Sequence, residues 1–124
     1  MNVVDSSGWL EYFAGCANAS FFARAIEDTA GLVVPSLSLY EVFKRVLQQR
    51  DEGTALQAIA LMQQGRIIEL DAAIALSAAK LSVSHRLPMA DSIMLATARA
   101  HDATLWSQDA DFEGLAGVRY VAKR

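Results

Sequence analysis

Hydrophobic positions along the chain fall into two alternating rhythms. Short apolar runs suited to β-strands are followed by longer stretches with helical spacing, the mark of a layered α/β fold around a mainly parallel sheet. The first strand is predicted over Asn2 to Asp5, with Ser6 or Ser7 capping a helix that carries Trp9, Leu10, Tyr12 and Phe13 and stops at Gly15. A second helix is predicted from about Ser20 to Thr29, and a second strand from Leu32 to Pro35 after Gly31. Ser38 is expected to open a third helix, with Leu39, Tyr40, Phe43, Val46 and Leu47 as its apolar positions and Gly53 as its break.

The rhythm continues with a helix over Thr54 to Gln64, closed by Gly65, and a third strand over Arg66 to Leu70. Asp71 is expected to cap a fifth helix, Ala72 to about Ser84, whose Ala and Ser content suits close packing against a neighbour or a second subunit. His85 to Pro88 interrupts the pattern. A sixth helix begins near Pro88 or Met89 and runs to about His101, and strands are predicted over Thr104 to Ser107 and Val118 to Val121. No repeat or linker interrupts the 124 residues, so a single domain over 1–124 is expected.

Hydrophobic residues make up 53% of the chain, enough to fill a core, yet no apolar run approaches the roughly 20 residues of a membrane span. The start, Met-Asn-Val-Val-Asp, carries no export signature, and Cys16 is the only cysteine, so a cytoplasmic location is expected and a cysteine-based metal site is excluded. The formal net charge of −3 speaks against a nucleic-acid partner at first sight. If four of the 14 acids hold cations, the remaining 10 face 11 Lys and Arg, and the objection lapses.

Four acids are candidates for such a role. Asp5 ends the first strand and Asp109 follows the fourth, so a parallel sheet delivers both to one edge, where ligands of open α/β sheets bind. Separately, each also suits a helix cap or a turn. Asp91 and Arg99 are the sole charges between Leu87 and Ala100, so Asp91 lies on a helix that is apolar nearly all round. A buried carboxylate there needs a cap, an arginine such as Arg99, or a cation. Glu41 lies near the start of the third helix, where Ser38-Leu39-Tyr40-Glu41 fits a capping box and Lys44 and Arg45 offer pairing partners. Its helix follows a strand, which places it at the same edge.

Converging carboxylates need divalent cations, and oxygen-only ligation suits Mg²⁺ or Mn²⁺. The chemistry of such sites is usually phosphodiester hydrolysis, in which the cation orients the phosphate and activates water. A phosphatase with a strand-end Asp nucleophile is a second possibility, but position 7, where such enzymes carry another aspartate, is Ser. Trp9, Tyr12, Phe13, Phe21 and Phe22 suit core packing or a partner groove better than base stacking, and Cys16, His85 and His101 receive no role.

The motifs together resemble the PIN-domain nucleases, and within them the VapC-type toxins of toxin–antitoxin pairs. The resemblance rests on Val3-Val4-Asp5-Ser6-Ser7, Pro35 to Val42 with Glu41, Leu87 to Ala98 with Asp91, and Thr104 to Phe112 with Asp109. It implies a PIN-like three-layer fold with a central, mainly parallel sheet flanked by helices. It implies an Mg²⁺- or Mn²⁺-dependent endoribonuclease, an RNA substrate and a cognate VapB-type antitoxin; a chain this hydrophobic for its size is also expected to hide surface in a homodimer. Carried over by position, Asp5, Glu41, Asp91 and Asp109 are the catalytic and metal-binding acids. Ser107 stands where threonine is more usual, and Asp111 offers a further acid able to share the role of Asp109. A catalytically silent, metal-stabilised PIN-like interaction module is the alternative.

Overall fold

The computed structural model describes residues 1–124. Its strands are β1 (Asn2–Val4), β2 (Val33–Pro35), β3 (Arg66–Ile68), β4 (Thr104–Ser107) and β5 (Val118–Tyr120). Its helices are α1 (Ser6–Ala14), α2 (Ala19–Ile26), α3 (Ser36–Gln49), α4 (Glu52–Met62), α5 (Ala72–His85) and α6 (Met89–Ala100). Every strand pairing is parallel: β2 with β3, β1 with β4, and β4 with β5. A parallel bridge between Asn2 and Leu32 joins the two groups, giving the spatial order β3-β2-β1-β4-β5.

Successive strand residues point to opposite faces, and here both faces are covered. Val4, Val34 and Trp106 join one core with Trp9, Phe22, Val42 and Met62 from α1 to α4. Val3, Val33 and Leu105, each one residue earlier, join a second core with Met94, Leu95 and Ala98 of α6. α5 is carried on α6, through Ile74 and Ala78 against Ile93 and Ala96. The result is the three-layer α/β arrangement expected, with each buried strand apolar at consecutive positions because neither of its faces meets water.

Chain order explains where a site can form. From β1 the chain moves to β2 and β3, then crosses by way of α5 and α6 to β4 on the other side of β1. The order therefore reverses between β1 and β4, and the crevice beyond their carboxyl ends is the switch point of the sheet.

Local chemistry moves several predicted boundaries. Asp5, not Ser6 or Ser7, caps α1: its backbone is extended (φ −69°, ψ 166°) and its Oδ1 accepts the Gly8 amide at 2.9 Å. α3 starts at Ser36, directly after Pro35, so Ser38 is an interior residue whose hydroxyl donates to Met94 Sδ at 3.3 Å. α4 begins at Glu52 and contains Gly53, because Asp51 Oδ1 accepts the Thr54 amide at 2.7 Å. Asp71 caps α5 as expected, through the Ile74 amide at 2.9 Å. α2 ends at Ile26, and a 3-10 turn over Thr29–Gly31 leads into β2.

Candidate active site

Asp5 follows β1 and Asp109 follows β4, so the parallel pairing of these strands brings the two carboxylates to the switch-point crevice. Asp5 is buried, with 4% of its surface exposed, and its carboxylate is held from three sides. Oδ1 accepts the Ser7 hydroxyl at 3.1 Å and the Gly8 amide at 2.9 Å, and Oδ2 accepts the Ser107 hydroxyl at 2.5 Å. Burial nevertheless pushes its pKa above the usual carboxylate range, with the charge of Asp109 adding to the rise and the three hydrogen bonds opposing it.

Ser107 also accepts the Asp109 amide at 2.9 Å, so one hydroxyl ties the two strand ends together. Asp109 Oδ1 accepts the Asp111 amide at 3.0 Å, closing the 3-10 turn Ala110–Phe112 that anchors the buried Phe112 ring in the second core. That turn presents Asp111 beside Asp109. Behind it, Gln108 is buried and its Oε1 accepts the Asn18 side-chain amide at 2.9 Å, which fixes the loop from the other side.

Asp91 enters from the first turn of α6, which begins after Pro88 with no side-chain cap. It is therefore not the helix cap. Arg99 is not its partner either, since it lies in the last turn of the same helix and donates to the Ala116 carbonyl at 3.0 Å. From Ser92 to Ala98 every residue of the helix is buried, and the Asp91 carboxylate at its start meets like charges instead of a cation. Burial first, then the charges of Asp109, Asp5, Asp111 and Glu41, push its pKa up to about 7.

One carboxylate oxygen from each of Asp91, Asp109 and Asp111 lies within 4.8 Å of the others. Asp111 thus joins the cluster beside Asp109 without displacing it. Glu41 reaches the same region from α3, but not through a capping box. Its Oε1 accepts the Ser6 hydroxyl at 2.7 Å, across 35 positions of sequence, which links α3 to the start of α1. Of the four predicted acids, Asp91 and Asp109 join that close group with Asp111, while Asp5 and Glu41 lie outside it; Ser7, Gly8 and Ser107 orient Asp5, and Ser6 orients Glu41. The capping preference of the serines concealed this second use.

The other side chains weighed from sequence lie elsewhere. Trp9 is fully buried and stacks on Phe13 with ring centroids 5.7 Å apart, and Phe22 is buried beside it in the first core. Cys16 is exposed; His85 ends α5 at the surface and His101 follows α6. No helix is long and apolar enough to cross a membrane.

The family model of the PIN domain matches residues 3–118, which spans both strand-end aspartates, Glu41 and Asp91. The chain belongs to the PIN-domain family. Among proteins of curated function, no sequence match is found. Solved structures share the PIN fold over nearly the whole chain. A toxin–antitoxin complex from Klebsiella pneumoniae has a chain that is 23% identical, with a TM-score of 0.80 and 96% of each chain covered. Mycobacterium tuberculosis VapC20, described as a sarcin-ricin loop cleaving toxin, is 18% identical at a TM-score of 0.76, covering 94% of this chain and 95% of that one. VapBC2 from Rickettsia felis, bound to a promoter DNA fragment, is 13% identical at a TM-score of 0.73, covering 98% and 97%.

The donor set of this PIN domain suits a hard divalent cation. The converging ligand atoms are all carboxylate oxygens, and Asp91 is kept partly protonated near neutral pH by burial and four like charges, a conflict that a cation resolves.

Proposed function

We propose that this PIN domain is a metal-dependent endoribonuclease, the toxin of a VapBC-type toxin–antitoxin pair. The observation that carries the reading is the convergence of Asp91, Asp109 and Asp111 within 4.8 Å, beside the oriented carboxylate of Asp5. The fold shared with VapC20, described as a sarcin-ricin loop cleaving toxin, and with chains from toxin–antitoxin complexes supports the nuclease reading and the antitoxin partner.

Asp5, Glu41, Asp91 and Asp109, joined by Asp111, are the residues that would hold Mg²⁺ or Mn²⁺. When bound, the cation supplies Lewis-acid polarisation of the phosphodiester, neutralisation of developing charge, and activation of water. The chain's own contribution is preorganisation. Ser7, Gly8 and Ser107 fix both oxygens of Asp5, so little reorganisation remains when the phosphate arrives. Ser107 and the Asp109–Asp111 turn set the spacing between strand ends, and Ser6 holds Glu41 at the rim. Asp91, whose pKa burial and like charges raise to about 7, would hold the cation in its ionised form.

A homodimer is part of the same reading: Leu76 and Val83 on α5 are 70% and 84% exposed, and Met89 at the start of α6 is 74% exposed. The catalytic claim is tested by incubating the purified chain with single-stranded and hairpin RNAs in Mg²⁺ or in chelator. Cleavage that appears in Mg²⁺ alone supports it; metal-stabilised folding with no RNA cut would instead identify a silent interaction module.

A further inference from the structure

A groove of about 380 Å³ runs along α3, lined by Tyr40, Glu41, Lys44, Arg45 and Gln48. Glu41, Lys44, Arg45 and Gln48 recur at helical spacing and so form one stripe on the helix surface. Glu41 belongs to two surfaces at once, because its Oε1 also accepts the hydroxyl of Ser6, the residue that follows Asp5. One end of the groove therefore adjoins the start of α1, where Asp5 is held.

The ordinary use of Lys or Arg three or four residues after Glu is a local ion pair. The side chains here are arranged otherwise. Glu41 Oε1 takes the Ser6 hydroxyl at 2.7 Å, and the Lys44 ammonium stands 5.6 Å from the centre of the Tyr40 ring. Lys44 and Arg45 are exposed, and Tyr40 leaves 61% of its surface open to solvent. Three other cations have partners of their own: Arg99 at the Ala116 carbonyl, and Arg24 and Arg119 over the Trp106 ring.

A polyphosphate approaching five acids in a chain of net charge −3 is repelled unless cations flank its path. The groove supplies two cations and a largely exposed aromatic ring in the same place, the combination that binds a single strand by its phosphates and by stacking of its bases. We propose that this groove is the strand-binding subsite for single-stranded RNA, in which Lys44 and Arg45 hold phosphates neighbouring the scissile one and Tyr40 stacks an adjacent base. The assignment rests on the nuclease reading of the acidic cluster and extends it to how the strand is held.

The test is the affinity of a fluorescein-labelled, single-stranded oligoribonucleotide, followed by anisotropy in Mg²⁺ over a series of salt concentrations. The protein is the full chain carrying Asp91→Asn, so that the probe stays intact. Combining Lys44→Ala with Arg45→Ala is expected to raise Kd about tenfold and to flatten the salt slope by about 1.4, the value for two lost phosphate contacts on a single strand. Arg66→Ala with Lys80→Ala removes the same charge from the start of β3 and from α5, and is expected to change Kd less than about twofold. Tyr40→Ala should weaken binding about fivefold while Tyr40→Phe retains it. Equal losses from the two charge pairs, an unchanged Kd and slope in the groove variants, or no binding by the intact groove would overturn the assignment. Because binding is read without cleavage, these results leave the nuclease reading standing. Failure of the unsubstituted chain to cut RNA would remove that reading even if the groove effects were found.

Discussion

The hydroxyl of Ser107 stands between the two strand-end aspartates, donating to Asp5 Oδ2 at 2.5 Å while accepting the amide of Asp109 at 2.9 Å. With the bond from the Asp5 amide to the Trp106 carbonyl, it joins the segments that leave β1 and β4. It also favours the ionised form of Asp5 against the cost of burial. Ser107→Ala removes the donor and leaves the Asp109 amide without its acceptor. The expected result is a weaker divalent site, by about tenfold in Mg²⁺ affinity, and a pH profile of binding displaced upward. Ser107→Thr keeps the hydroxyl and should keep both properties. Calorimetric titration of Mg²⁺ into the two variants at several pH values decides between them.

Asp91 has a pKa of about 7 in the folded chain against an ordinary value of 3.8. Between those values the folded state binds more protons than the unfolded one, so stability of the metal-free protein falls as pH rises through that window. In chelator, Tm should be several degrees lower at pH 8 than at pH 5, and Mg²⁺ should recover most of the difference at pH 8. Asp91→Asn, which cannot ionise, should flatten the dependence. A metal-free Tm that climbs from pH 5 to pH 8 would contradict the assignment of this carboxylate as a strained, like-charged group.

Gly8 is required by a close approach rather than by backbone freedom. A Cβ added there would lie 2.6 Å from Phe22 Cε1 and 2.7 Å from Val4 Cγ1, both fully buried. Gly8→Ala must push α1 away from β1 and α2, at a cost of about 1–3 kcal/mol. Since the Gly8 amide also holds Asp5, activity should fall further than the lost stability explains. Denaturant unfolding alongside RNA cleavage at a temperature where the variant remains folded measures both effects.

Asp111 shares the cluster with Asp109, so Asp111→Asn and Asp109→Asn should each weaken Mg²⁺ binding by at least about tenfold. Asp109→Ala should additionally loosen the 3-10 turn, because it removes the Oδ1 that accepts the Asp111 amide, an acceptor that Asn retains. Hydrogen exchange of the Asp111 amide separates the turn from the metal site: faster exchange is expected in Asp109→Ala and not in Asp109→Asn or Asp111→Asn.

Much of this arrangement was legible in the chain, for physical reasons that differ from residue to residue. β4 was predicted with its observed bounds because Thr104-Leu105-Trp106-Ser107 combines strand formers with polar residues on either side. Asp91 stood out because one acid on a helix buried from Ser92 to Ala98 has little to do structurally. What escaped was anything decided by geometry over long separations. Asp5, Ser6 and Ser7 all suit a cap, and only the backbone angles single out Asp5. The pattern Ser38 to Glu41 fits a capping box, yet the N-cap is Pro35, three residues before Ser38, and the partner of Glu41 is Ser6. Arg99 shares a helix with Asp91, but their places at opposite ends keep them apart.

The central claim is that the Asp91 cluster holds the cation on which RNA cleavage depends. The most direct measurement is the single-turnover cleavage rate of one RNA substrate in Mg²⁺ by the unsubstituted chain and by Asp91→Asn, with folding of both verified by circular dichroism. The account predicts a loss of at least about a hundredfold in the folded variant, equivalent to roughly 2.7 kcal/mol of transition-state stabilisation. An undiminished rate from folded Asp91→Asn would contradict it.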